Sequence, residues 1–89
     1  MEIEFSPHAK RQLKEREINF KKVEKSLKKP DEIVNGSLHG RKIAHKIFKI
    51  KNKIFLYRIV FIKESLKYFI ITVYRTTKIQ KYFKGEKLK

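Results

Sequence analysis

The sequence contains no cysteine, only two prolines and three glycines in 89 residues, and a single aspartate, Asp31. Without a thiol there is no disulfide framework, no thiol nucleophile and no cysteine-based zinc site, and the composition suits a reducing cytosol. With one Asp and no His pair at helical ligand spacing, a metal-dependent nuclease is not expected, and neither is any cofactor. No glycine pattern of the Walker or dinucleotide-binding kind is present. Long apolar runs are missing too: Lys or Arg interrupts every hydrophobic segment before the ~18 residues that a membrane span needs. Met1-Glu2-Ile3-Glu4 lacks the basic start of a signal peptide. The expectation is a soluble, cytoplasmic protein with no membrane partner.

What the chain has in excess is positive charge. Its 24 Lys+Arg stand against 9 Asp+Glu, a formal +15, with a pI near 10.2. A small domain needs a net charge of only ~2–8 for solubility, so the excess points to an anionic partner, of which a phosphate backbone is the commonest. Coding bias or thermophily would raise Glu along with Lys, and here Lys far outruns Glu. The length fits one domain, 1–89, burying somewhat over ~60% of its extended-chain surface.

Glu2-Ile3-Glu4-Phe5 alternates and predicts a short strand. Ser6-Pro7 predicts a helix start, a hydroxyl cap followed by Pro at the first helical position, with the helix running to about Arg16. Asn19 is a second N-cap, opening a helix over about Phe20 to Lys28 in which Phe20, Val23 and Leu27 share a face. Pro30 ends it, and Asp31 to Asn35 predicts a short strand closed by Gly36. The period then changes to 2. Lys42 to Ile50, Ile54 to Ile62 and Tyr68 to Thr76 predict three strands joined by short breaks, hence an antiparallel meander. The fold class is therefore α+β, an N-terminal strand and two short helices packed on an antiparallel sheet of three to four strands. From about residue 79 the chain reads as a basic tail too charged to pack, apart from Tyr82 and Phe83.

Arg58 shares strand parity with Leu56 and Val60, where periodicity places buried or concave surface. A guanidinium there needs an anionic partner: a phosphate, a structural carboxylate such as Glu4 or Glu64, or water at a sheet edge. Thr72, Tyr74 and Thr76 share one face of the last strand, a face that aligns with Arg58 if the registers agree, and Arg75 lies on the other unless the strand twists. Basic and aromatic residues interleaved in this way stack on bases and neutralise phosphates together. They also suit metal-free RNA cleavage, in which a base takes the ribose proton, cations stabilise the phosphorane and an acid protonates the leaving oxygen. Tyr serves as proton carrier there only if nearby cations lower its pKa. His8 falls in a first helical turn, His39 in a Gly-flanked turn, and His45 at a half-buried strand position. A helix-turn-helix reading lacks a third helix.

Ser6-Pro7-His8-Ala9, Arg11 and Arg16 before Ile18, Lys29-Pro30-Asp31-Glu32-Ile33, and Thr72-Val73-Tyr74-Arg75-Thr76 with Lys78 and Tyr82 together resemble a short domain family of unknown function. That family has a helix-opening His-Ala and a terminal Thr-Val-Tyr strand. It is similar to the RelE/ParE toxin superfamily and its BrnT-type branch. The likeness spans roughly Ile3 to Phe83. It implies a RelE-like domain and a type II toxin that cleaves mRNA without metal, with the ribosome as a partner and an acidic antitoxin covering the basic face. It further implies Arg58 and Arg75 as a phosphate-binding pair, Tyr74 or Tyr82 as base-stacking or proton-transferring phenol, and His8 as the signature His. Arg11, Arg16, Arg41, Lys42, Lys46, Lys78 and Lys81 are the expected nucleic-acid contacts. ParE relatives act on gyrase instead, so two alternatives stand beside the endoribonuclease: a toxin poisoning a protein target, and a non-catalytic RNA- or ribosome-binding module.

Overall fold

The computed structural model describes residues 1–85, and the last part of the expected tail, residues 86–89, lies outside them. The order of elements is β1 (Glu2–Phe5), α1 (Pro7–Glu15), α2 (Phe20–Lys28), β2 (Glu32–Asn35), β3 (Lys42–Ile50), β4 (Lys53–Glu64), β5 (Lys67–Thr76) and α3 (Ile79–Tyr82). Both long helices start where the caps predict. Ser6 Oγ accepts from the Ala9 N–H at 3.0 Å and donates to the Ile71 carbonyl at 3.0 Å, so one hydroxyl caps α1 and ties it to β5. Asn19 Oδ1 accepts from the Lys21 N–H at 2.7 Å and caps α2. Val23 and Leu27 turn inward, whereas Phe20 stays 47% exposed, its ring edge-to-face with that of Phe5 at 5.8 Å between centroids.

The sheet is larger than expected and mixed: five strands in the order β1-β5-β4-β3-β2. β3, β4 and β5 form the predicted meander and β2 adds antiparallel to β3, but β1 pairs parallel with β5. The first and last strands are brought together by the crossover through α1 and α2, which leaves no short-range mark in the sequence. β1 stops at the Phe5–Ile70 pair. Beyond it Gln12 Oε1 accepts the otherwise unpaired Val73 N–H at 2.8 Å, so α1 completes the edge of β5.

The helices cover one face only. Ala9, Val23 and Leu27 pack with Ala44, Tyr57, Ile59, Phe61, Ile70 and Val73 into a single core. On the opposite face Leu56 is fully buried and Arg58 and Val60 are half-buried. A register shift opposite Val60 and Phe61 inserts Ile71 as an extra residue in β5 and resets its parity, so that Thr72, Tyr74 and Thr76 stand opposite Val60, Arg58 and Leu56.

Residues 79–85 are not a loose tail. After α3 the chain crosses this second face, where Phe83 lies 6.2 Å from His45 and the backbone N–H groups of Lys84 and Gly85 reach Glu32. The expectation that positive charge would prevent packing fails because it is backbone amides, not lysine side chains, that make the contact.

Candidate functional site

Strand register places Glu32 of β2, His45 of β3, Arg58 of β4 and Tyr74 of β5 side by side in one row across the sheet. All four lie on the face that the two long helices leave open, since their parity is opposite to that of Tyr57, Ile59 and Val73. They are joined by hydrogen bonds from end to end. Glu32 Oε2 lies 2.6 Å from His45 Nδ1, and Arg58 Nε donates to His45 Nε2 at 3.0 Å. Arg58 Nη1 donates to the Tyr74 hydroxyl. The C-terminal strap roofs the row: the guanidinium lies 4.0 Å from the centroid of Tyr82 and 5.2 Å from that of Tyr74, whose rings meet nearly edge to face.

Burial grades along the row. Glu32 and His45 are 3% and 0% exposed, whereas Arg58, Tyr74 and Tyr82 are half-buried. Burial alone would push the Glu32 carboxyl up, but hydrogen bonds from His45, Lys84 and Gly85 reverse the balance and hold it below its ordinary value, as an anion. Burial pushes the His45 imidazole down, the bond to Glu32 pushes it up and the Arg58 charge pushes it down again, leaving it below its ordinary value and neutral at pH 7. The Tyr74 phenol is raised, because its burial outweighs the Arg58 cation. The cations around Tyr74 therefore do not produce the lowered phenol that a proton-abstracting Tyr requires; this phenol keeps its proton while accepting from Arg58 and is a candidate acid.

Arg58, Tyr74 and Tyr82 converge, with Lys78 at the N-cap of the adjoining α3 and Lys81 within it; Lys81 Nζ lies 5.3 Å from the Tyr82 ring. Arg75 does not join them. It projects from the helix-side face, where its guanidinium lies 4.9 Å from the Phe55 ring and donates to the Tyr57 hydroxyl at 3.3 Å. Strand parity thus places the Arg58 and Arg75 guanidinia on opposite faces of the sheet, so they do not share one site. His8 and Arg11 are exposed on α1 and Arg16 caps its end, all on the helix layer and away from the row. Lys46 also faces the helix side, paired with Asp31 at 3.3 Å. Arg41 lies beside the β2–β3 turn with Lys42, whose Nζ donates to Asn35 Oδ1 at 2.6 Å. The expected carboxylate partners of Arg58 are absent: Glu4 pairs with Lys67, and among the described residues no acidic side chain bridges to Arg58.

Glu32 was not a candidate at all, and His45 was expected to be half-buried rather than at the centre of a network. A signal existed. Glu32, His45 and Arg58 are polar residues whose nearest same-face strand neighbours are apolar, and Tyr74 stands between Thr72 and Thr76, but without the register nothing shows that they meet. Among the described residues no group of His, Asp and Glu is arranged to hold a metal ion, and no helix is long and apolar enough to cross a membrane. A family model described as a domain of unknown function (DUF4258) matches residues 5–75. No curated protein and no solved structure matches the chain.

Proposed function

The chain belongs to the family of the domain of unknown function DUF4258, and we propose that it binds single-stranded RNA through the face carrying Arg58, Tyr74 and Tyr82, as a toxin of the RelE/ParE-like kind. One observation carries this reading. Arg58 is half-buried, has no carboxylate to neutralise it among the described residues, and stands against the phenol rings of Tyr74 and Tyr82. A guanidinium flanked by aromatic faces accepts a phosphate while the rings stack on bases, and the formal +15 supplies the long-range attraction. Within this reading an acidic antitoxin segment, and the ribosome as the site of action, are the partners of matching charge.

Cleavage at the same cluster is a second reading, favoured by the protonated Tyr74 phenol beside Arg58. An acid for the leaving oxygen and a cation for the phosphorane are two of the three groups metal-free RNA cleavage needs. The third, a base, has no candidate in the row, because both His45 nitrogens are occupied.

Binding of a fluorescent oligouridine, followed by anisotropy, tests the first reading. Arg58→Ala should weaken binding about tenfold, the loss expected for one charge-assisted contact, whereas Arg75→Ala on the other face should change it by less than about threefold. Equal losses in both variants would reduce the interface to generic charge. Expression in a bacterial host with primer extension on cellular RNA separates the two readings. Growth arrest with defined cuts supports cleavage, arrest without cuts supports binding, and arrest unchanged by Arg58→Ala overturns both.

A further inference from the structure

Two buried groups stand behind the proposed interface without touching its surface, Glu32 and His45, and the inference drawn from them rests on the RNA reading above. Hydrogen-bonding capacity fixes the state of the imidazole. Arg58 has no acceptor, so the His45 Nε2 that receives its Nε–H at 3.0 Å carries no proton. An ionised Glu32 has no donor, so the Nδ1 that faces it at 2.6 Å carries one. Only neutral His45 in the Nδ1–H tautomer satisfies both contacts.

Glu32 has a second task. Its Oε2 also accepts the Lys84 N–H at 2.8 Å, and its Oε1 accepts the Gly85 N–H at 3.0 Å. Those residues closely follow Tyr82, whose ring lies against Arg58. One buried carboxylate therefore fixes the guanidinium through His45 and the phenol through the backbone of the strap.

We propose that Glu32 and His45 are positioning residues that hold Arg58 and Tyr82 as one preformed clamp for a phosphate and its adjacent base in single-stranded RNA. The Nε–H and one Nη1–H of Arg58 are committed to His45 and Tyr74, so a fixed edge of the guanidinium is presented to the ligand. An arginine already ordered loses less side-chain entropy on binding than a free one.

The clamp has a distinctive response to acid. The groups facing His45 are Glu32 from β2, Arg58 from β4, and Phe83 with the Lys84 charge from the strap, while Tyr74 from β5 meets Arg58. A proton on Nε2 would set donor against donor and cation against cation, so Arg58 would have to leave. His45 is held below its ordinary 6.5, which keeps the clamp closed at neutral pH and opens it on acidification. A merely cationic surface of Lys and Arg shows no such loss, because it does not depend on a guanidinium held against a neutral imidazole.

The test uses the full chain and a fluorescent oligouridine from pH 8 to pH 5, with His45→Gln, Glu32→Gln and a His8→Gln/His39→Gln control. Wild-type and control affinity should fall, by up to about tenfold, as pH drops from 6.5 towards the lowered His45 value, whereas His45→Gln should begin about tenfold weaker and show no such fall. Nitrogen-15 NMR at pH 7.5 should show the Nδ1–H tautomer of His45 and a slowly exchanging Arg58 Nε–H that is lost in His45→Gln. Binding that tightens steadily with acid, variants that match wild type, or the Nε2–H tautomer would overturn the proposal. Where circular dichroism shows a variant unfolded, the wild-type pH profile and tautomer decide. If wild type binds no RNA at any pH, the reading in the preceding section fails, and the NMR readouts alone decide whether the pair positions Arg58.

Discussion

Arg58 and Arg75 show how much a single strand position decides. The two guanidinia belong to adjacent strands and both lie against aromatic rings, yet one joins a polar row under the strap and the other lies over Phe55 on the helix side. At this scale the buried pair behind Arg58 also sets how stability depends on pH. His45 has a lowered pKa in the folded chain, so below its ordinary 6.5 the unfolded chain binds the proton that the folded chain refuses. Stability is thus fully present above about pH 6.5 and falls as pH descends from there towards the lowered value. Glu32, lowered from 4.5, adds a second loss below that pH, where the unfolded chain takes up its proton first. Urea titrations between pH 8 and 4 should show both losses in wild type and only the lower one in His45→Gln. Glu32→Ala should cost at least about 2 kcal/mol at pH 7, since each hydrogen bond to a charged group contributes ~1.5–3. A urea midpoint unchanged by that substitution would mean that the carboxylate does not anchor the strap.

At the scale of elements, local chemistry and long-range pairing have separate consequences. The β3–β4 hairpin turns through Lys51 at φ 56, and the β4–β5 hairpin through Ser65 at φ 57. A residue with a Cβ in this left-handed region costs ~1–2 kcal/mol, part of which glycine gives back through greater freedom in the unfolded chain. Lys51→Gly should therefore raise stability by about 0.5–1 kcal/mol, measured by urea midpoint, while the same change at Lys53, inside β4, should lower it. The α1 connection behaves differently, because Ser6 and Gln12 each bond to β5 as well as serving their own helix region. Those contacts link the start of the chain to its last strand, along the edge of β5 that the short β1 leaves uncovered.

For the molecule as a whole, the relevant asymmetry is between the two faces of the sheet. Helices bury one face in the apolar core; a strap of only a few residues covers the other and leaves Arg58, Tyr74 and Tyr82 partly open among Lys78, Lys81 and Lys84. If Arg58 and those three lysines each neutralise one phosphate, the logarithm of RNA affinity should fall against the logarithm of salt with a slope of about −3. Replacing Lys78 and Lys81 together by Gln should bring the slope to about −1.5, because about 0.7 is lost per single-strand phosphate contact. Anisotropy titrations across 50–300 mM salt measure it, and a slope near zero would remove nucleic acid as the partner of this face.

The sequence by itself determined where the two long helices start and where the strands lie to within a residue or two, since caps at Ser6 and Asn19, the stop at Pro30 and the change from a 3.6 to a 2 period act over a few residues; it did not reveal α3. It also determined that Tyr74 and Thr72 share a face and that Arg75 does not, because alternation along a strand is a property of the backbone. Only the tertiary structure decided that β1 lies beside β5, that the bulge at Ile71 brings Tyr74 level with Arg58, and that Glu32 captures the strap. Each of these depends on register between segments far apart in the chain. A shift of one residue in pairing would send Arg58 to a different neighbour without altering any local signal.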